Sequence, residues 1–279
     1  MNIISSFINT FLLSIFEMIY LVGLFIVIGL VLGILEKLSN TFLVRAFGSR
    51  GVLLTSWIGT PIHELGHLTQ CFIWGHRVTK VKLLQLNSPD GVLGYVEHHY
   101  NANSIYQQVG NFFIGLGPIF SGIGSLIWGM YLLVPQSYAI FRMQIHQNIS
   151  LEKLDLNVVK AIGGAVIAIS SSLFTLHNLL NPSFWVFLVV AISISSHIGL
   201  SKADIQNSVN GLVMIFFLLV FVNIGAGFLH VDAYRVIVKL AEYNAYLLAF
   251  ASIAVLMSLF TLGISFLLWK LRFSHRFKA

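Results

Sequence analysis

The chain has 279 residues, of which 57% are hydrophobic and 9% charged, with a formal charge of +6. A soluble domain carries about a quarter charged residues, so this chain cannot assemble a water-facing surface, which excludes a soluble globular enzyme and a disordered chain alike. The basic excess reads as loop placement across a bilayer and not as a nucleic-acid footprint, and the single cysteine, Cys71, excludes an intrachain disulfide.

A spanning helix needs about 20 mostly apolar residues. The stretches 7–35, 52–74, 112–134, 158–180, 183–198, 212–229 and 245–269 qualify, the fifth being short and interrupted by Ser193, Ser195 and Ser196. The expected fold class is an all-α polytopic membrane protein with six or seven transmembrane helices and a small β-hairpin between the second and third spans. It forms one integral membrane domain: an N-terminal helix and loop (1–50), a core (51–212) and C-terminal helices (213–279). The first stretch has no basic residue before Lys37 and no small-residue cleavage site, so it reads as a retained helix and not as a signal peptide. The polar runs 75–110 and 135–157 are too short for an independent soluble domain. Lys270, Arg272, Arg276 and Lys278 favour a cytoplasmic C-terminus, whereas Arg77, Lys80, Lys82 and the basic run 37–50 leave the full topology open. The placement expected is multi-pass, in the cell membrane.

The second span contains Gly59-Thr60-Pro61-Ile62-His63-Glu64-Leu65-Gly66-His67, an H-E-x-x-H motif in an otherwise apolar helix. Residues four apart on a helix share a face and lie about 6 Å apart along the axis, so His63 and His67 can grip one Zn²⁺. Glu64 can then reach a metal-activated water without binding the metal and take its proton as it attacks a carbonyl. Ionisable groups this deep in an apolar span are costly and mark function by default; the plain alternative is a polar cluster gluing helices together. Thr60-Pro61 is a cap-and-first-turn pair, from which the ligand helix is expected to begin, or kink, just before His63.

A catalytic zinc takes a third protein ligand and keeps one position open. Cys71 lies about 12 Å along the helix from His63 and cannot share its ion. The four aspartates are Asp90, Asp155, Asp204 and Asp232. Asp204 is the leading candidate, with His197 as the alternative. Asp204 also stands three residues after Ser201, the capping-box spacing, and so has a second reading as a helix cap. Asp90 sits in turn chemistry, Asn87-Ser88-Pro89-Asp90-Gly91, and is the weakest candidate.

Runs 78–86 and 92–99 flank that turn and read as a hairpin. A protease needs its substrate extended, so an edge within the segment from Val78 to His99 is the candidate substrate-binding element. His98 and His99 at its end read as interfacial residues.

In this order of parts the chain resembles the site-2 protease family of intramembrane zinc metallopeptidases: a span with His63-Glu64-Leu65-Gly66-His67, a hairpin, then a span with Gly117-Pro118. The likeness covers about residues 50–130 and extends loosely to about 212. Where that family has G-P-x-x-N, Ile119, Phe120 and Ser121 follow here, and Asn178-Leu179-Leu180-Asn181-Pro182 only echoes its N-x-x-P segment. The resemblance implies zinc on the two histidines and a later aspartate, with Glu64 activating water. The reading that follows is an intramembrane endopeptidase with one Zn²⁺ per chain, acting on transmembrane segments of other proteins within the lipid bilayer and needing no nucleic acid. A non-hydrolytic zinc-binding membrane protein or metal transporter is the alternative. A catalytically silent scaffold is disfavoured by the intact Glu64.

Overall fold

The computed structural model describes residues 3–86, 91–148, 156–229, 231–241 and 243–276. In chain order the helices α1 (Ile3–Phe47) and α2 (Ser49–Ile73) precede strands β1 (Arg77–Lys82) and β2 (Tyr95–His99). Then follow α3 (Ile105–Gly115), α4 (Gly117–Leu133), α5 (Pro135–Asn148), α6 (Leu156–Leu173), α7 (Leu176–Leu179), α8 (Pro182–Ser195), α9 (Lys202–Leu229), α10 (Ala233–Ala241) and α11 (Asn244–Arg276). The described residues are thus largely helical, with one two-stranded sheet.

Among the described residues, three helical stretches are long and apolar enough to cross a membrane: Phe7–Phe47, Lys202–Leu229 and Ala233–Arg272. A fourth arises if α3 and α4, bent by 54° at their junction, count as one span. The other expected spans differ in kind. α2 carries the polar motif in its middle, and α8 has 14 residues, about 21 Å of helix against the roughly 30 Å of a bilayer core. The α3–α4 bend has a plain cause. Pro118 occupies the first turn of α4, where its missing N–H costs nothing, and the preceding Gly-Leu-Gly lets the chain turn there. Within the polar run 135–157, residues 135–148 form helix α5, and residues 233–241, between two expected spans, form helix α10.

The hairpin forms, shorter than expected. β1 and β2 pair antiparallel with Val81 opposite Val96 and Lys82 opposite Tyr95, and the register shifts between Val78 and Lys80. Residues 87–90 of its turn, Asp90 among them, lie outside the described residues, as do Asp155 and Lys278.

α2 is the hub: it packs on α4 and α8, with α1 and α3 also against it, while α1 runs along α11 and α9 along α3. α2 and α4 meet backbone to backbone, since a Cβ on Gly66 would overlap the Gly117 carbonyl. The glycine inside the motif is therefore there for packing, in the manner of small-residue contacts between membrane helices. α1 is tied to α9 by Asn223, whose amide donates to Ser14 Oγ (3.0 Å) and to Glu17. α2 does not begin at Thr60-Pro61. It starts at Ser49 after Gly48, whose φ of 67° suits only a residue without Cβ, and runs through Pro61. The proline removes one helical N–H, leaving the carbonyl of Trp57 without its usual partner.

Candidate metal centre

His63 and His67 stand one turn apart on α2, with their Nε2 atoms 3.2 Å apart. His63 Nδ1 lies 2.8 Å from the carbonyl oxygen of His197, and His67 Nδ1 lies 2.7 Å from that of Ile114. A carbonyl only accepts, so each Nδ1 carries the proton and donates; in the neutral ring each Nε2 is then a bare lone pair. Metal-binding histidines are commonly oriented in this way, by donating the other ring N–H to a carbonyl.

Asp204, from the first turn of α9, closes the set. Its Oδ1 is 3.1 Å from His67 Nε2 and its Oδ2 is 3.6 Å from His63 Nε2. Three acceptor atoms thus converge in a buried site, with Asp204 7% and His67 8% exposed. Lone pairs that close repel unless a proton or a metal ion lies between them. Two ligand atoms about 2.0–2.1 Å from one ion at a tetrahedral angle lie about 3.3 Å apart, close to the 3.2 Å between the imidazoles. The donor set fits a metal ion: His63, His67 and Asp204 offer ligand atoms all within 4.8 Å of one another. Two imidazoles and a carboxylate, with no thiolate, suit a borderline divalent cation.

The structure leaves room for both sequence readings of Asp204, because a carboxylate has two oxygens. Oδ2 accepts from the Ser201 N–H at 2.7 Å, and the Asp204 N–H donates to Ser201 Oγ at 3.2 Å, a reciprocal cap at the start of α9. Oδ1 remains for the site. His197, the alternative ligand, is not one of the three. Its ring lies 3.0 Å from Thr55 Oγ1, and it serves the site through its backbone carbonyl. Cys71 is fully buried and belongs to no metal-binding group among the described residues.

Glu64 is 5% exposed and lines a cleft of about 510 Å³ together with Thr60, His63, His197 and residues 91–94. The chain entering β2 crosses directly over it: a Cβ on Gly94 would stand 2.7 Å from Glu64 Cγ and 3.0 Å from its Oε1. The hairpin segment is thereby brought to the centre, although the paired strands lie further along. Thr60 Oγ1 is buried beside Glu64 with no hydrogen-bond partner.

The hairpin is anchored by His98, which the sequence reading took as interfacial together with His99, through a pair with His76. His76 donates from Nε2 to the Gln107 carbonyl (2.8 Å), so its Nδ1 accepts from His98 Nδ1 at 3.0 Å, and its ring stacks on Tyr100. Burial, then the neighbouring His76 ring, pushes His98 down to about 4, and burial lowers His76 as well. Both rings are held neutral in the folded state and take up protons more readily when released. Their contribution is complete above the ordinary histidine pKa near 6.5 and is lost as pH falls from there towards 4. The expected result is faster hydrogen exchange across β1 and β2 at pH 5 than at pH 7.5, after correction for intrinsic rates. In His98→Gln the difference between the two pH values should shrink. An equal change in both proteins would detach the pair from the effect.

Sequence reading missed Glu36 of α1, which lines the cleft, and Asn40, which bonds to the turn that follows α8. The first apolar stretch stopped at Leu35, so Glu36 passed for the edge of a loop; a carboxylate inside a helix running to Phe47 is the signal that was there to be used. Comparison of the chain with protein-family models, with curated proteins and with solved structures finds no match.

Proposed function

We propose that this protein is a membrane-embedded zinc endopeptidase, with Zn²⁺ on His63, His67 and Asp204 and Glu64 as general base. The observation that carries the reading is the convergence of two bare imidazole nitrogens and a carboxylate oxygen at tetrahedral spacing, one helical position from a buried glutamate in a cleft. A divalent ion held there supplies Lewis acidity, acidifying a water and polarising a scissile carbonyl. The chain's own residues do the rest. The carbonyls of His197 and Ile114 keep both rings in the tautomer that points Nε2 inward. Asp204 offsets part of the positive charge. Glu64 takes the proton of the attacking water on its carboxylate and returns it to the leaving amine, the role of a positioned general base.

The substrate class follows from what adjoins the cleft. An apolar cavity of about 340 Å³ lies between α1, α3 and α9 and shares Gly33, Lys37 and Leu200 with the cleft. An apolar segment of another membrane protein can lie in the first and extend into the second, with residues 91–94 beside it. The three long apolar helices point to a membrane protein; residence in the cell membrane is part of the proposal. A metal carrier would need polar groups along a path across the bilayer, whereas the metal-binding group found among the described residues sits at one point.

The test is cleavage of a fluorogenic transmembrane peptide by the purified protein in detergent. A chelator such as phenanthroline should abolish cleavage, and added zinc should restore it. Cleavage undiminished after verified metal removal would exclude the metallopeptidase.

A further inference from the structure

The turn between α8 and α9, residues 196–201, supports the centre at both ends. The carbonyl of His197 orients His63, and Ser201 holds Asp204. α1 grips the middle of this turn. Glu36 Oε2 accepts the Gly199 N–H, and Asn40 Nδ2 donates to the Ser196 carbonyl at 3.1 Å. Gly199 sits so close to α1 that a Cβ there would stand 2.6 Å from Glu36 Oε2 and 3.0 Å from Gly33 Cα. Asn40 Oδ1 is left buried with no partner, so this side chain is held for its donor. Glu36 and Asn40, one helical turn apart on α1, thus hold a backbone N–H and a carbonyl that flank the His197 carbonyl.

We infer that Glu36 is a positioning residue for the metal centre. Through Gly199 it fixes the turn that sets the ring of His63 and the entry of Asp204, and Asn40 assists through Ser196. The role rests on hydrogen bonding: Glu36 Oε2 accepts the Gly199 N–H, and its Oε1 stands 3.5 Å from Asn40 Nδ2. Glutamine, whose side-chain oxygen accepts the same bond, is therefore a working substitute; leucine is not. Groups that orient metal ligands typically carry a 10–100-fold effect on metal affinity. The metal part of this inference rests on the metal-centre reading above; the clamp itself does not.

The experiment uses the full chain in detergent as wild type, Glu36→Gln, Glu36→Leu and Asn40→Ala, with Co²⁺ alone as the probe. Affinity and the visible ligand-field bands report the coordination sphere, and hydrogen exchange of metal-free protein reports the 196–201 turn. Glu36→Leu should weaken Co²⁺ binding about 10–100-fold, alter the bands and speed exchange in the turn. Glu36→Gln should restore all three. Asn40→Ala should move them in the direction of leucine by less, and it carries the test should Glu36→Leu not fold. Wild-type affinity, bands and exchange in Glu36→Leu would overturn the inference, and so would a glutamine variant as impaired as leucine. Should the wild type take up no Co²⁺, the metal-centre reading fails by itself. The exchange data then decide the clamp: faster exchange in leucine but not in glutamine upholds it, and unchanged exchange overturns it.

Discussion

Glu64→Gln should lose peptide-bond cleavage by about 10²–10⁴-fold, the usual worth of a positioned general base, while retaining full metal content. The substitution is nearly isosteric, so the cleft, the Gly94 backbone above Glu64 and the packing of α2 are kept. Only the ability to accept a proton is removed. Glu64 makes no contribution to the ligand set, since the three residues that converge are His63, His67 and Asp204. The measurement is kcat on a transmembrane peptide, paired with metal analysis of the same preparation. A variant that cleaves at the wild-type rate would take Glu64 out of the mechanism. A variant that also loses its metal would show that Glu64 acts as a ligand or structural partner and not as a base.

Asp204 separates capping from coordination. In Asp204→Asn the side-chain oxygen can still accept the Ser201 N–H, so the start of α9 should survive. The anionic oxygen facing His67 is lost. Metal affinity should fall by more than about 100-fold, beyond the range expected of residues that merely orient ligands. Ser201→Ala does the reverse. It removes the hydroxyl that accepts the Asp204 N–H, costing about 1 kcal/mol of helix stability, and leaves the carboxylate in place. It should lower the thermal midpoint with much smaller loss of metal. Isothermal titration with zinc and thermal unfolding in detergent, run on both variants, check the separation. Equal metal affinity in Asp204→Asn and wild type would move the third ligand elsewhere.

The pairing of His63 with His67 is legible in the sequence because both lie on one helix. Local geometry alone puts positions four apart on one face. Asp204 is harder to find, since its approach depends on α3 packing along α9 and on a turn held from α1, neither of which leaves a local pattern. What makes it visible is the scarcity of aspartate in an apolar chain and the Ser201 spacing, and the cap leaves one carboxylate oxygen facing His67. Thr60-Pro61 misleads as a helix start because cap preferences describe helix starts in water, whereas inside a packed bundle a proline is carried through a helix whose remaining bonds persist. The first helix is cut short in sequence for a related reason. Charge at Glu36 and Lys37 looks like a span boundary, but the helix continues to Phe47, and Glu36 finds its partner across the bundle. The break at Gly115-Leu116-Gly117-Pro118 is legible in principle from a proline suited to a first helical turn, but the unbroken apolar stretch around it hides the bend.

The central claim is that an ion sits between the two imidazoles. Its most direct test is metal analysis of the protein purified without added metal and again after zinc incubation and desalting. The account predicts about one zinc per chain in wild type and Glu64→Gln, and almost none in His63→Ala or His67→Ala. A folded wild-type chain that stays free of divalent metal after zinc exposure would contradict it, leaving Asp204 and the two histidines as a buried ion pair that holds α2 to α9.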